Sequence, residues 1–222
     1  MQMGGGDITS QGRVQWHSYM TDHYRFSKET GIEQGYEATG FVPESKNTGS
    51  GINLTYANTT FGQAMTATPL QMAGALSGVL NGGTYYQPRL VDSYIEGNGK
   101  ATVVEPEVLK EGVVKSSVST EMASMLIKSF EHIRNPVPFD QSRYSVGGKT
   151  GTAEIAESGG YSRTDFNGTY MGYVGGDKPQ YAIVVYTIRP QVKGYAGTTA
   201  AKPIFNDLAH MLINNSYVTP RT

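Results

Sequence analysis

Apolar residues recur along this chain in two rhythms, and the switches between them delimit its elements. Helical spacing comes first. Val14, Trp16, Tyr19, Met20, Tyr24 and Phe26 fall near a 3.6-residue period and predict an aromatic-rich helix over residues 13–26. Glycines at 31, 35 and 40 break that pattern, and the polar, Gly/Ser-rich stretch from Pro43 to Gly51 reads as a surface loop. A second helix is sharply delimited. Thr68 suits an N-cap and Pro69 the first helical position, while Leu70, Ala73, Leu76 and Leu80 form one apolar stripe ended by Asn81-Gly82-Gly83. That stripe is a packing face.

The rhythm then alternates. Leu90 to Ile95 and Ala101 to Val104 flank Gly97-Asn98-Gly99, the turn signal of a β-hairpin. A helix is predicted from Ser119 to Arg134, with Met122, Leu126, Phe130 and Ile133 inward. Glu121 and Arg134 complement its dipole, and Asn135-Pro136-Val137-Pro138 stops it. Residues 157–168 read as a polar loop between strands. Two strands follow near 169–176 and 180–189, joined across Asp177-Lys178-Pro179 tightly enough to be antiparallel neighbours. Pro203 opens a last helix whose Ile204, Phe205, Leu208 and Leu212 are expected to lie on the sheet. The fold class is α+β: an antiparallel β-sheet flanked by helices, with no internal repeat.

Composition narrows the function classes. A length of 222 residues allows a sizeable core and favours one domain spanning 1–222, two small domains being the alternative. The net charge is −1, so no basic excess is available to neutralise phosphates, and no nucleic-acid partner is expected. With no cysteine there is neither a disulfide framework nor a thiolate metal site. His17, His23, His132 and His210 form no His-Glu-x-x-His pattern, so no metal and no cofactor are expected. The apolar run from Tyr181 to Ile188 is far short of a membrane span, and no basic-then-apolar leader opens the chain. Its start, Met1-Gln2-Met3-Gly4-Gly5-Gly6, looks like a cut inside a larger protein, a short gene being the alternative.

Candidate chemistry concentrates in Tyr144-Ser145-Val146-Gly147-Gly148-Lys149-Thr150-Gly151-Thr152-Ala153-Glu154-Ile155. Thr150, Thr152 and Ile155 favour a strand, whereas Gly147, Gly148 and Gly151 weaken it and mark places where something approaches the backbone. Period-two alternation sets Thr150 and Thr152 on one face and Lys149 and Gly151 on the other. A cation, two hydroxyls and accessible N–H groups make a cradle for a carboxylate or an oxyanion. The alternative is an ordinary Gly-rich edge strand. A phosphate-binding P-loop fails on spacing, because position 143 is arginine where that motif needs glycine.

Lys149-Thr150-Gly151-Thr152 resembles the third motif of the serine acyl-transferases that include penicillin-binding proteins and class A β-lactamases. The resemblance extends through Thr169-Tyr170-Met171-Gly172-Tyr173-Val174-Gly175 and Tyr181 to Tyr186. Upstream it takes in Thr30 to Gly40, Phe61-Gly62-Gln63, Thr68 to Ala73, and Leu80-Asn81-Gly82-Gly83. In this order, over most of the chain, these segments resemble the C-terminal half of a class B penicillin-binding protein, with an incomplete β-lactamase/transpeptidase-like fold. The resemblance implies a peptidoglycan D,D-transpeptidase that cross-links stem peptides through an acyl-serine intermediate and is inhibited by β-lactams. Lys149 would then sit between nucleophile and substrate carboxylate, with Thr150 and Thr152 hydrogen-bonding that carboxylate. Gly151 would give the substrate access to the strand, and the Thr152 backbone N–H would be one oxyanion donor. It further implies wall-synthesis or division proteins as partners. The location would be the extracytoplasmic face of the bacterial membrane, with an N-terminal anchor absent from this chain.

The chain departs from the family by omission. No serine is followed three positions later by lysine, so no nucleophile is assigned and the chain alone is expected to be inactive. Thr199-Ala200-Ala201-Lys202 has the spacing but reads as a helix start. Ser45-Lys46-Asn47 lies in a polar loop, and Tyr56-Ala57-Asn58 reads as structural. Tyr161, Tyr170 and Tyr195 line a cleft or, the favoured role, pack across strands. Two alternatives stand beside the transpeptidase reading: a β-lactam-sensing or β-lactamase-like relative, and a non-catalytic module binding peptidoglycan or a division partner. Apolar surface exposed where further helices belong would also favour self-association.

Overall fold

The computed structural model describes residues 3–4, 7–132, 138–157 and 160–222. The chain divides into two units, Met1–Gly78 with Gly83–Val113, and Val79–Gly82 with Val114–Thr222.

In the first unit β1 (Met3–Gly4) pairs antiparallel with β2 (Asp7–Ile8), and α1 (Ser10–Ser18) follows. Thr9 caps α1, its Oγ1 accepting the Gly12 N–H at 3.0 Å. The helix predicted over 13–26 is shorter and starts earlier. After Ser18 it widens into a π-helical turn, Tyr19–His23, and Arg25 and Ser27 have φ of 57° and 61°, which no right-handed helix accommodates. α2 (Ile52–Thr59) carries the buried Tyr56, whose hydroxyl donates to Pro43 O at 2.7 Å and whose ring meets Trp16 edge-on at 5.6 Å. Tyr56-Ala57-Asn58 is thus a structural element in this unit.

α3 (Pro69–Leu80) forms as its sequence directs, and its last two residues belong to the second unit. The Gln71 N–H donates to Thr68 Oγ1 at 3.1 Å and the Thr68 N–H to Gln71 Oε1 at 2.9 Å, a reciprocal capping box. The buried Gln71 amide also donates to Lys28 O at 2.7 Å and Thr39 O at 2.9 Å, tying the irregular segment before it to the helix. Further on, β3 (Tyr85–Tyr86) pairs with β6 (Val108–Lys110), and β4 (Ser93–Ile95) with β5 (Ala101–Val103) around the expected Gly97-Asn98-Gly99 turn.

The second unit contains α4 (Ser116–His132), which begins three residues before the predicted start. Ile133, Arg134 and the stop at Asn135-Pro136-Val137 lie outside the described residues. β7 (Ser145–Glu157), β8 (Gly160–Gly175) and β9 (Pro179–Thr187) form an antiparallel sheet in the order β7-β8-β9. Of the loop expected over 157–168, residues 158 and 159 lie outside the described residues and the rest is instead strand: Glu154 faces Phe166, Ala156 faces Tyr161 and Glu157 faces Gly160, with a bulge between Glu154 and Ala156. Polar side chains there signalled solvent rather than loss of pairing, since a two-stranded ribbon satisfies its backbone without a covered face.

A π-helical turn, Gly197–Ala201, runs directly into α5 (Lys202–Asn214). α5 buries Phe205, Asn206 and Ala209, while Ile204 is 45% exposed and Leu208 37% exposed. Placing Ile204 and Leu208 on the sheet is therefore corrected. The register follows Phe205, with Ala201 and Ala209 four residues either side letting the helix close on the sheet. Phe205 meets the Tyr170 ring at 4.6 Å and Phe130 at 6.3 Å, in a core with Val146, Val174, Val185 and Val218. The buried Lys202 lays its Nζ 5.0 Å from the Phe130 ring centroid, and desolvation lowers its amine pKa. Phe205→Ala is expected to lower stability by about 3–5 kcal/mol, and Leu208→Ala by far less. Urea unfolding of the two variants checks this, and equal losses would contradict the observed helix register.

Candidate functional site

β7 is the outer strand of its sheet and among the described residues pairs only with β8. The strand is laid down by what packs behind it. A Cβ at Gly147 would come within 2.9 Å of the α4 backbone at Leu126 and Ile127, and one at Gly148 within 2.4 Å of the Tyr170 ring. These two glycines therefore relieve crowding on opposite faces of the strand. Gly151 has a packing reason as well, because a Cβ there would meet Thr169 Oγ1 at 2.3 Å.

Lys149 is exposed. Its Nζ donates to Thr150 O at 2.8 Å and to Thr150 Oγ1 at 3.3 Å, and among the described residues it takes part in none of the salt bridges. The ammonium thus carries a positive charge that no carboxylate in the described chain neutralises. The contact with Thr150 O also orients the strand: that carbonyl lies on the free edge. Residues two apart in an extended strand turn N–H and C=O to the same side, so Thr152 presents its N–H to that edge too. The Thr152 side chain goes to the face covered by the Gly197–Ala201 turn, where Oγ1 accepts the Gly197 N–H at 3.2 Å.

Lys149, Thr150 and Thr152 are brought together as the sequence predicts, on one edge strand with Gly151 between them. The other candidates fare differently. Ser45-Lys46-Asn47 sits in an exposed turn of the first unit, closed by the Asn47 N–H to Glu44 O at 3.2 Å. Thr199 to Lys202 spans the junction of the π-helical turn with α5. Tyr170 is wholly buried behind β7, its hydroxyl pKa raised by desolvation, whereas Tyr161 and Tyr195 are exposed. His210 stacks on Phe139 at 3.9 Å, and His17 Nδ1 lies 2.9 Å from Pro43 O. A cavity of about 410 Å³ at the end of the sheet is lined by Thr164, Asp165, Phe166, Arg189, Pro190, Gln191, Val192, Lys193, Gly194 and Ala196. Arg189 there faces Glu157 and Asp165, each at 3.7 Å.

Two features at this site escape the sequence reading. One is the Gly197 donor on Thr152, whose signal is the glycine ahead of the small-residue run Thr198 to Ala201. The other is the Arg189 cluster with Glu157 and Asp165, which no local sequence pattern announces.

The site is thus an outer strand that carries an exposed lysine and two threonines, on an antiparallel sheet backed by helices. The chain belongs to the family described as the penicillin binding protein transpeptidase domain, which matches residues 11–210. Among curated relatives, stage V sporulation protein D of Bacillus subtilis is 28% identical over 95% of this chain and 32% of that protein. Penicillin-binding protein 2B of Streptococcus pneumoniae is 27% identical over 82% of this chain and 28% of that protein. The chain thus spans about a third of the length of the curated relatives it matches. A crystal structure of penicillin binding protein 3 from Mycobacterium tuberculosis complexed with ampicillin has a TM-score of 0.75 at 24% identity, covering 90% of this chain and 45% of that one. A peptidoglycan synthetase from Bifidobacterium adolescentis gives 0.76 at 24% identity, covering 97% and 37%. Both confirm the α+β fold.

Gly148→Ala is expected to destabilise by about 1–3 kcal/mol through overpacking against Tyr170. Thermal unfolding checks it, and an unchanged midpoint would restore ligand access as the reason for that glycine.

Proposed function

We propose that this chain is the carboxylate- and oxyanion-binding part of a peptidoglycan D,D-transpeptidase, spanning 1–222 as the C-terminal portion of one transpeptidase domain. The observation that carries the proposal is the charge on Lys149, exposed beside the free edge of β7 and unmatched by any salt bridge among the described residues.

In this reading the terminal carboxylate of a stem peptide, or that of a β-lactam, lies along β7. The Lys149 ammonium and the Thr150 and Thr152 hydroxyls hold it by charge-assisted hydrogen bonds. A serine on polypeptide outside these 222 residues attacks the substrate carbonyl, its proton passing to a neighbouring lysine base. The Thr152 N–H, fixed on the strand edge, donates to the oxygen on which negative charge develops. Collapse of that intermediate expels the leaving amine, which takes a proton, and leaves an acyl-serine. An acceptor amine from a second stem peptide then attacks the ester, forming the cross-link and freeing the serine.

No helix among the described residues is long and apolar enough to cross a membrane. Anchoring would come from a segment outside them, holding the enzyme at the extracytoplasmic face of the bacterial membrane among wall-synthesis or division proteins.

Labelled penicillin tests the assignment on both the full-length natural protein and the isolated 222-residue chain. The full-length protein is expected to take the label covalently and the isolated chain to take none. Covalent labelling of the isolated chain would falsify the claim that it has no nucleophile. Lys149→Ala in the full-length protein is expected to abolish labelling while changing stability by less than about 0.5 kcal/mol, since the side chain is exposed. Labelling at wild-type rates would remove Lys149 from the site.

A further inference from the structure

We propose that Gly197 is a positioning residue for carboxylate recognition: its N–H fills an acceptor site on Thr152 Oγ1, which leaves the Thr152 hydroxyl proton as a donor facing the ligand. The inference rests on the transpeptidase reading of β7 and assigns a residue outside the Lys-Thr-Gly-Thr motif to it.

The geometry begins with the helix. From Gly197 the chain is continuously helical to Asn214, and the first-turn N–H groups of a helix have no partner within it. Here Thr198 and Thr199 both donate to Tyr195 O at 2.9 Å. The Gly197 N–H goes to the strand instead, reaching Thr152 Oγ1 at 3.2 Å. That donor also carries part of the positive end of the helix dipole.

Reaching the strand requires the absence of side chains. A Cβ at Gly197 would stand 2.3 Å from Gly151 O and 3.0 Å from Thr169 O. Across the contact, a Cβ at Gly168 would stand 2.5 Å from the Ala196 carbonyl. With both positions bare, the helix start settles directly on β7 and β8. An added methyl at 197 must push the helix and strand apart, and the donor loses its acceptor.

The chemistry follows from the hydroxyl inventory. A threonine hydroxyl has one proton and two acceptor lone pairs. Left free, Thr152 could turn its proton inward or present a lone pair to an incoming carboxylate, which repels it. With the Gly197 N–H on one lone pair, the proton is freed for the exposed side, and donation into the oxygen strengthens the hydroxyl as a donor. Thr150 has a parallel arrangement, since its Oγ1 accepts from Lys149 Nζ at 3.3 Å. Both threonines therefore have an N–H-filled oxygen and a proton available to the ligand.

The experiment compares benzylpenicillin with its methyl ester, which keeps the reactive ring and lacks the carboxylate. Acylation rate constants of the full-length protein are read by competition with fluorescent penicillin. Gly197→Ala is expected to slow acylation by the acid roughly ten- to a hundredfold more than acylation by the ester, the range for a hydrogen bond to a charged group. An amide-to-ester replacement at position 197 deletes the N–H without adding a Cβ, and should show the same selectivity even where the alanine variant folds poorly. Thr152→Ser should retain the preference for the acid. Thr152→Val should lose it, and adding Gly197→Ala to Thr152→Val should change the acid-to-ester rate ratio little further. Equal slowing of acid and ester in the amide-to-ester variant, or no slowing of either, overturns the proposal while leaving the transpeptidase reading intact. A wild-type protein that takes no label overturns both.

Discussion

An edge strand paired on one side only has to be held from behind, and in this protein backbone contact does the holding. β7 carries glycine at 147, 148 and 151, each lowering its intrinsic strand stability by about 0.5–1 kcal/mol relative to alanine. Overpacking at such a position costs about 1–3 kcal/mol, so where α4 and Tyr170 come this close glycine is the favourable choice. The sheet gains rigidity on its two faces and leaves its free edge unpaired. That edge would be an aggregation hazard if it were long, flat and apolar. The exposed Lys149 ammonium opposes pairing with another strand and still attracts an anion.

Legibility in the sequence follows the range of the forces involved. Features set within a few residues were readable: the Thr68 to Gln71 cap, the Gly97-Asn98-Gly99 hairpin and the Lys149 to Thr152 motif each form as expected. What was misread depends on partners far along the chain. Residues 160–168 are strand because β7 is there to pair with them, and their polarity says only that the ribbon is solvated. The buried face of α5 is chosen by where Phe205 finds Tyr170 and Phe130, and Ile204 and Leu208 look equally apolar in sequence. Helix periodicity fixes how often a side chain returns to one face, whereas packing decides which face that is.

The candidate site was legible as a motif and only half legible as a mechanism. Alternation placed Thr150 and Thr152 on a common face, and the structure has both there, yet that face is also where α5 arrives. The Thr152 hydroxyl is aimed at a helix start and already accepts a hydrogen bond from Gly197, which alternation alone does not tell. Nothing local to Thr152 could have disclosed that donor, 45 residues further on.

The proposed function needs a binding wall that is complete while the nucleophile is not part of it, and the packing around β7 is of that kind. Every group assigned to carboxylate and oxyanion recognition lies on β7 or donates to it, and β7 is fixed by α4, β8 and the helix from Gly197 to Asn214, all within one unit. None of these supports depends on a catalytic serine. β7 is therefore held in place by packing, and in the proposed function the reacting hydroxyl has only to be brought beside it. This separates two requirements that a single active-site element would have to reconcile: a donor array held still in a strand edge, where reorganisation during the reaction is small, and a nucleophile whose own base must sit one helical turn away.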